Sequence, residues 1–206
     1  MFQIKVTLMI YLLLVMPLGT YLYHIATNQC TFADPVFDRV DNCIYRISGI
    51  DPQKVMGWKK YVLSLIATNA MMILIGYLIL RIQVIPLFNP NGIGAMEPTL
   101  SFNTIVSFMT NTNLQHYAGE SGLSYLSQMA VITFMMFTSA ASGYAACVAF
   151  VRGLAGKDKT NMGNFFTDLI RITTRILLPL AILVGLFLVC SGCTANSFFL
   201  CNSQHH

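Results

Sequence analysis

Between Thr99 and Tyr117 the chain carries no Asp, Glu, Lys or Arg, yet eleven of its residues are Ser, Thr, Asn, Gln or His. The run Thr110-Asn111-Thr112-Asn113-Leu114-Gln115-His116-Tyr117 concentrates them. The chemistry open to such a stretch is coordination rather than acid–base catalysis. Successive backbone carbonyls can replace the hydration shell of a cation without burying a carboxylate, and Asn and Gln amides can hold that backbone by hydrogen bonds. An Asn/Thr-rich external turn leading into the next helix has the same composition, so composition alone does not choose between the two readings.

The elements around this run must position it. Phe102, Ile105, Val106, Phe108 and Met109 recur at helical spacing and predict a short helix over about 100–109. At 1.5 Å per residue it is roughly 15 Å long, about half the ~30 Å hydrocarbon thickness of a bilayer. The segment is too polar to face lipid. A half-helix followed by irregular polar backbone is tolerated at membrane depth only where protein buries it or it lines a watery cavity. Aimed at the membrane centre, such a helix turns its negative dipole end, near Met109, toward a cation. Residues 100–120 are therefore expected to form a re-entrant helix and loop.

Composition supports a membrane setting. Of 206 residues 55% are apolar and 10% charged, against about 25% charged in soluble domains. A net charge of +4, from 12 Lys and Arg against 8 Asp and Glu, is too small for a nucleic-acid binder, and the apolar content excludes disorder. Val6 to Ala33, Tyr61 to Leu80, Ser121 to Val151 and the chain from Ile176 onward are free of charge. They predict transmembrane helices near 5–25, 61–84, 124–151 and 172–192. The first runs too long and lacks the cleavage pattern of a secretory signal, so it is read as a helix. The expected fold is an all-α polytopic membrane protein.

Arg39, Arg46, Lys54, Lys59 and Lys60 lie between the first two spans, and Arg152, Lys157, Lys159, Arg171 and Arg175 lie between or at the bases of the last two. The positive-inside bias puts loops 26–60 and 152–171 in the cytoplasm, with the N-terminus and the segment Pro86 to Gly122 outside. Asp34, Asp38, Asp41 and Asp51 mix with the cations of the first loop. That pattern favours a solvated connector over a lipid-headgroup site.

Phe102-Asn103-Thr104, Val106 through Tyr117 and Gly119-Glu120 together resemble the first pore loop of the potassium-binding A subunit of Kdp-type potassium-transporting ATPases. Pro17-Leu18-Gly19, Trp58-Lys59, Leu87 with Asn89-Pro90, Tyr125 with Ser127-Gln128-Met129, Ser139 to Gly143, and Gly163-Asn164 with Asp168 to Arg171 follow in the family's order, to about Leu188. The resemblance implies a potassium-channel-like repeat of span, pore loop and span, preceded by an extra N-terminal transmembrane helix. It implies a bacterial cell-membrane complex importing potassium at the expense of ATP. This non-catalytic subunit would select the ion, and a separate P-type ATPase catalytic subunit, with small accessory subunits, would hydrolyse nucleotide. Potassium is the implied ligand, lipid is the surrounding partner, and nucleic acid is not expected. Carbonyls of Thr110, Asn111, Thr112 and Asn113 would contribute to the coordinating loop, and Gln115 falls where the family shapes its high-affinity site. His116 would tune the loop with pH or hold it by a hydrogen bond. Glu120 would attract cations at the mouth or cap the third span.

The chain contains neither G-x-x-x-x-G-K-[ST] nor the DKTG phosphorylation motif; Asp158-Lys159-Thr160-Asn161 approaches the latter with Asn in place of Gly. Asp158 is read as an ordinary loop residue. The family has four repeats around one filter, whereas this sequence supplies one, so a complete filter is expected to need copies or a complementing fragment. Residues 193–206 form an atypical tail, as a frameshift or early stop would leave. Cys190 and Cys193, with Cys201, His205 and His206, have zinc-like spacing, but chance oxidation is the preferred reading and no metal beyond potassium is expected. Ser139, Ser142, Gly143 and Ala146 form a small-residue face expected to pack another helix. Asp168 and Arg171 are expected to pair locally at i, i+3. A non-conducting four-span scaffold, or an inactive transporter fragment, is the alternative reading. An intramembrane enzyme is disfavoured, since the sequence has no H-E-x-x-H, no G-x-S-x-G and no pair of intramembrane carboxylates.

Overall fold

The computed structural model describes residues 2–27, 29, 31, 34–85, 89, 91–155 and 162–191, side chains at 36 and 120 excepted. Asp158 and the tail from 192, with its cysteines and histidines, lie outside the described residues, as does Cys30. Among the described residues there are helices and no strands. In chain order these are α1 (Phe2–Ala26), α2 (Asp34–Ser48), α3 (Trp58–Arg81), α4 (Pro98–Met109), α5 (Tyr125–Ala155) and α6 (Phe165–Cys190). A single helical turn, Gly119–Gly122, precedes α5. α5 and α6 each contain a π-helical segment, at Gln128–Thr133 and Thr173–Leu177.

Helices α1, α3, α5 and α6 are long and apolar enough to cross a membrane. Their outward side chains agree with that role: Leu13, Leu63, Phe150, Leu183 and Phe187 are all more than half exposed. Such surfaces suit lipid and would drive aggregation in water. The chain is a multi-pass membrane protein.

The helices outrun the apolar stretches that predict them. α3 starts at Trp58, ahead of Tyr61, and α6 starts at Phe165, ahead of 172. Charge ends a hydrocarbon span but does not end a helix when the charged groups find partners, as Arg152 and Asp168 do here. Pro98 at the first turn of α4 extends that helix two residues before the apolar repeat, because proline's missing N–H costs nothing there.

Two apolar clusters hold the bundle. One joins Leu80, Met96, Ile105, Phe108, Leu123 and Met135, from α3, α4, α5 and the segments just before α4 and α5. In α4 the buried residues are Ser101, Thr104, Ile105, Phe108 and Met109, a single helical stripe. Gly76 allows the close approach of α3, since a Cβ there would lie 2.6 Å from Met135 Cε and 3.0 Å from Ile105 Cδ1. The second cluster joins Tyr61, Ala141, Ala145, Phe165 and Ile172. The Phe165 ring meets Tyr61 edge-on, with centroids 5.5 Å apart.

The small-residue face of α5 is partly occupied from within the chain. Ser139 and Ser142 are buried, and Ser142 Oγ lies 3.2 Å from Asn69 Oδ1 of α3. Gly143 and Ala146 stay exposed. The face expected to pack another helix thus meets α3 at Ser142 and leaves Gly143 and Ala146 open.

Candidate ion-coordinating loop

The segment after α3 leaves the bundle and returns to the same place. Gln83, 3% exposed, donates from Nε2 to the carbonyls of Gly94 at 2.7 Å and Gly122 at 3.1 Å, while its Oε1 accepts from Ser124 N–H at 3.4 Å. Arg81 donates to the Met96 carbonyl, and Asn89 exchanges two hydrogen bonds with Ile93. Ile105, in the middle of the excursion, sits against Gly76. Gly76 is seven residues before Gln83, about 10 Å along the helix at 1.5 Å per residue. α4 thus runs back into the bundle beside α3.

α4 ends at Thr110, and the following backbone folds onto its last turn. The N–H groups of Thr110 and Asn111 donate to the carbonyls of Val106 at 2.9 Å and Phe108 at 3.2 Å. Those of Thr112 and Asn113 converge on the Ser107 carbonyl, at 2.9 and 3.2 Å, and Leu114 N–H donates to Ser107 Oγ at 2.7 Å. Asn111 and Asn113 adopt φ values of 57° and 55°, a left-handed conformation in which Asn is among the best-tolerated residues after Gly. In a trans peptide the carbonyl points opposite to the next residue's N–H. With the N–H groups of residues 111–114 turned toward α4, the carbonyls of Thr110, Asn111, Thr112 and Asn113 turn away from it. Among the described residues no hydrogen bond ends on those four oxygens. Thr110 and Thr112 hydroxyls lie 3.0 Å apart and brace the turn.

Thr110 to Asn113, Gln115 and His116 are all exposed, and Tyr117 anchors the loop's far side by packing on the α3–α4–α5 cluster. Glu120 belongs to the Gly119–Gly122 turn, and its side chain lies outside the described residues. The cap of α5 is Ser124, whose side chain accepts from Ser127 N–H at 3.2 Å. The cap expected from Glu120 is therefore supplied four residues later. Ser107 and Gln83 are the positioning residues that spacing did not single out. Ser107 lay inside the polar motif, whereas Gln83 stood at the edge of an apolar run with nothing to mark it.

At the opposite end the polar groups are charged. Arg152 makes a two-point contact with Asp168, at 2.6 and 3.1 Å, and also donates to the carbonyls of Ala26 and Met162. Tyr61 Oη lies 2.9 Å from the same carboxylate. Asp168 therefore pairs across helices with Arg152, not with Arg171 as expected, because the buried carboxylate faces α5 rather than the next turn of α6. Arg171 donates to the Gln29 carbonyl instead. Gly163, at φ 84°, lets the chain pass the Arg152 guanidinium, with which any Cβ would collide. Arg175, 1% exposed, receives Asp34 at 2.8 Å, Asp38 at 2.6 Å and Asp41. The connector 26–60, expected to be a solvated loop, thus carries a helix whose acids are bound to α6. Burial raises Asp34, but hydrogen bonds from Arg175 and Thr31 outweigh it and hold the carboxyl at about 2. Burial, with Asp41 nearby, pushes the Tyr45 phenol up to about 12.

The family model described as potassium-transporting ATPase A subunit matches residues 5–200. The chain belongs to that family. The match continues past Leu188, where the resemblance was expected to end. A relative from Clostridium acetobutylicum, named potassium-transporting ATPase potassium-binding subunit, is 53% identical over 190 residues, covering 92% of this chain and 34% of its own length. Proteins of the same name from Caldanaerobacter subterraneus and Geobacillus kaustophilus are 52% and 49% identical, each covering 89% of this chain and 32% and 33% of their own. The chain spans about a third of the length of these A-subunit relatives, and the loop Thr110–Tyr117 lies within the family match.

Proposed function

We propose that this chain contributes one potassium-coordinating loop to an ATP-driven potassium importer. The observation that carries the reading is the set of four consecutive carbonyls, Thr110 to Asn113, turned away from α4 by N–H groups bound to its last turn. An exposed row of backbone dipoles offers a dehydrating potassium ion oxygen ligands without the tight grip of a carboxylate. The negative dipole end of α4 adds to the attraction. Gln115, two residues after Asn113, shapes the site, and His116 and Glu120 act more weakly at its mouth. Membership of the A-subunit family, and relatives named for potassium binding, support potassium as the transported ion.

In this reading the chain itself performs no catalysis. A P-type ATPase catalytic subunit hydrolyses nucleotide and receives the ion, with small accessory subunits and lipid completing the assembly. The N-terminus and the coordinating loop face outside, and the connectors around α2 and between α5 and α6 face the cytoplasm, as the distribution of Lys and Arg favours.

Gln115→Arg, made in the chain assembled with its ATPase partner, tests this reading. A fixed cation beside the carbonyls is expected to abolish high-affinity potassium uptake while the complex still assembles. Unchanged uptake would remove the site; assembly without any potassium-dependent uptake in the parent complex would leave a scaffold.

A further inference from the structure

Helix α2 presents three different strips along its length. Asp34, Asp38 and Asp41 occupy the side that meets α6, where all three reach Arg175. Val40, Cys43 and Ile47, at i, i+3 and i+7, form an apolar strip left uncovered among the described residues: Val40 is 46% exposed, Ile47 is 80% exposed and Cys43 is free and exposed. Arg39 and Arg46 are also exposed. Seven residues apart, they fall within about 20° of each other and about a quarter turn from the apolar strip at 3.6 residues per turn.

The position of α2 gives these strips a setting. In sequence it lies between the end of α1 and the start of α3, two helices long and apolar enough to cross a membrane. At the start of α3 Trp58 is 54% exposed, and Lys59 Nζ lies 5.6 Å from its ring. Trp and Lys together at a helix end mark the headgroup layer. Asp38 keeps a 56% exposed side chain but lies on the side of α2 opposite the apolar strip, so the charge on the strip's flank is that of Arg39 and Arg46. An apolar strip with cations on its flank, on a helix that connects two spanning helices, matches an anionic lipid surface in both polarity and charge.

We propose that α2 is an interfacial helix, inserting Val40, Cys43 and Ile47 among acyl chains while Arg39 and Arg46 bind the phosphates of anionic phospholipids. The ion cluster at Arg175 sets its rotation, so that the apolar strip faces lipid rather than water.

The test uses the full chain with Cys43 as its sole cysteine, carrying an environment-sensitive fluorophore, in vesicles of phosphatidylcholine with a minority of phosphatidylglycerol. Quenching by nitroxide at a shallow acyl position is expected to be strong at Cys43 and several-fold weaker at the neighbouring Asn42→Cys label. Nitroxide carried on phosphatidylglycerol is expected to quench about twofold more than the same group on phosphatidylcholine, and that preference should vanish in Arg39→Gln/Arg46→Gln. Accessibility of the Cys43 label to acrylamide without lipid quenching would overturn the proposal in favour of a solvated helix. Shielding from both quenchers would overturn it in favour of a protein partner. A lipid preference that survives loss of both arginines would overturn the headgroup contact.

Discussion

The two ends of the bundle solve opposite problems with polar groups. At the connector end, Arg152 and Arg175 are locked to Asp168 and to three carboxylates of α2. At the loop end, Gln83, Ser107 and the Asn and Thr residues after Met109 hold backbone by uncharged hydrogen bonds. Paired charges fix one helix to another, and a buried pair resists separation because each partner would be left without compensation. In the proposed function, neutral dipoles that hold the loop in shape would leave its carbonyls weak enough to release an ion, as conduction requires. Under that proposal, a carboxylate in place of Asn111 or Asn113 would mix the two solutions and trap the ion.

The largest expected effect comes from breaking the charged end. Arg175→Gln leaves Asp41 buried without its cation and frees Asp34 and Asp38 from α6. A loss of about 3–5 kcal/mol is expected, read as a lowered midpoint of thermal unfolding for the purified chain in detergent. Amide exchange in α2 should accelerate first. A change below about 1 kcal/mol, the range of exposed pairs, would mean that the cluster does not anchor α2.

Gln83→Leu probes the loop end. It strips a donor from the carbonyls of Gly94 and Gly122 and an acceptor from Ser124 N–H. Of the three, only the Ser124 N–H is buried, and leaving it unmatched costs about 1–3 kcal/mol. Exchange should rise through residues 91–97 and 118–124 and spread into Thr110–Tyr117, with α2 unaffected. Acceleration in α2 as well would show that the two ends are not independent.

A smaller effect is expected inside the loop. Asn113 holds φ 55°, which a β-branched residue resists by roughly 1–2 kcal/mol and glycine accepts. Asn113→Val should lower potassium uptake by the assembled complex, and Asn113→Gly should retain most of it. Equal losses would assign the effect to the amide side chain rather than to the backbone.

What the sequence reveals follows from how local each signal is. Long charge-free stretches mark the four spanning helices, and the apolar repeat from Phe102 to Met109 marks α4. The polar run after it stands out because lipid-facing segments cannot carry it. Partners distant in sequence leave no such trace. Arg152 and Asp168 sit on different helices, and Arg175 meets acids 134 to 141 residues away. For that reason nearby charges such as Asp168 and Arg171 looked like partners, and the acids of α2 looked solvated. Gln83 was hidden for the opposite reason: a lone amide beside an apolar run resembles an ordinary helix end until Gly94 and Gly122 are brought to it.

The pH response of the charged end is supplied by Asp34. Its carboxyl is held at about 2 instead of its usual 3.8, against burial, by hydrogen bonds from Arg175 and Thr31. A depressed carboxylate stabilises the fold fully above its unfolded value and loses that contribution as pH falls through the folded one. The window is therefore from about pH 4 down to about 2, and the contribution is on the order of 2 kcal/mol at most, since the group is partly solvated. Following α2 exchange or the unfolding midpoint from pH 5 downward should show a decline across that window in the parent chain. Asp34→Asn, which keeps a hydrogen-bonding side chain but cannot titrate, should start lower and decline less. An unaltered slope would assign the acid sensitivity to another carboxylate and leave Asp34 as a hydrogen-bonding residue alone.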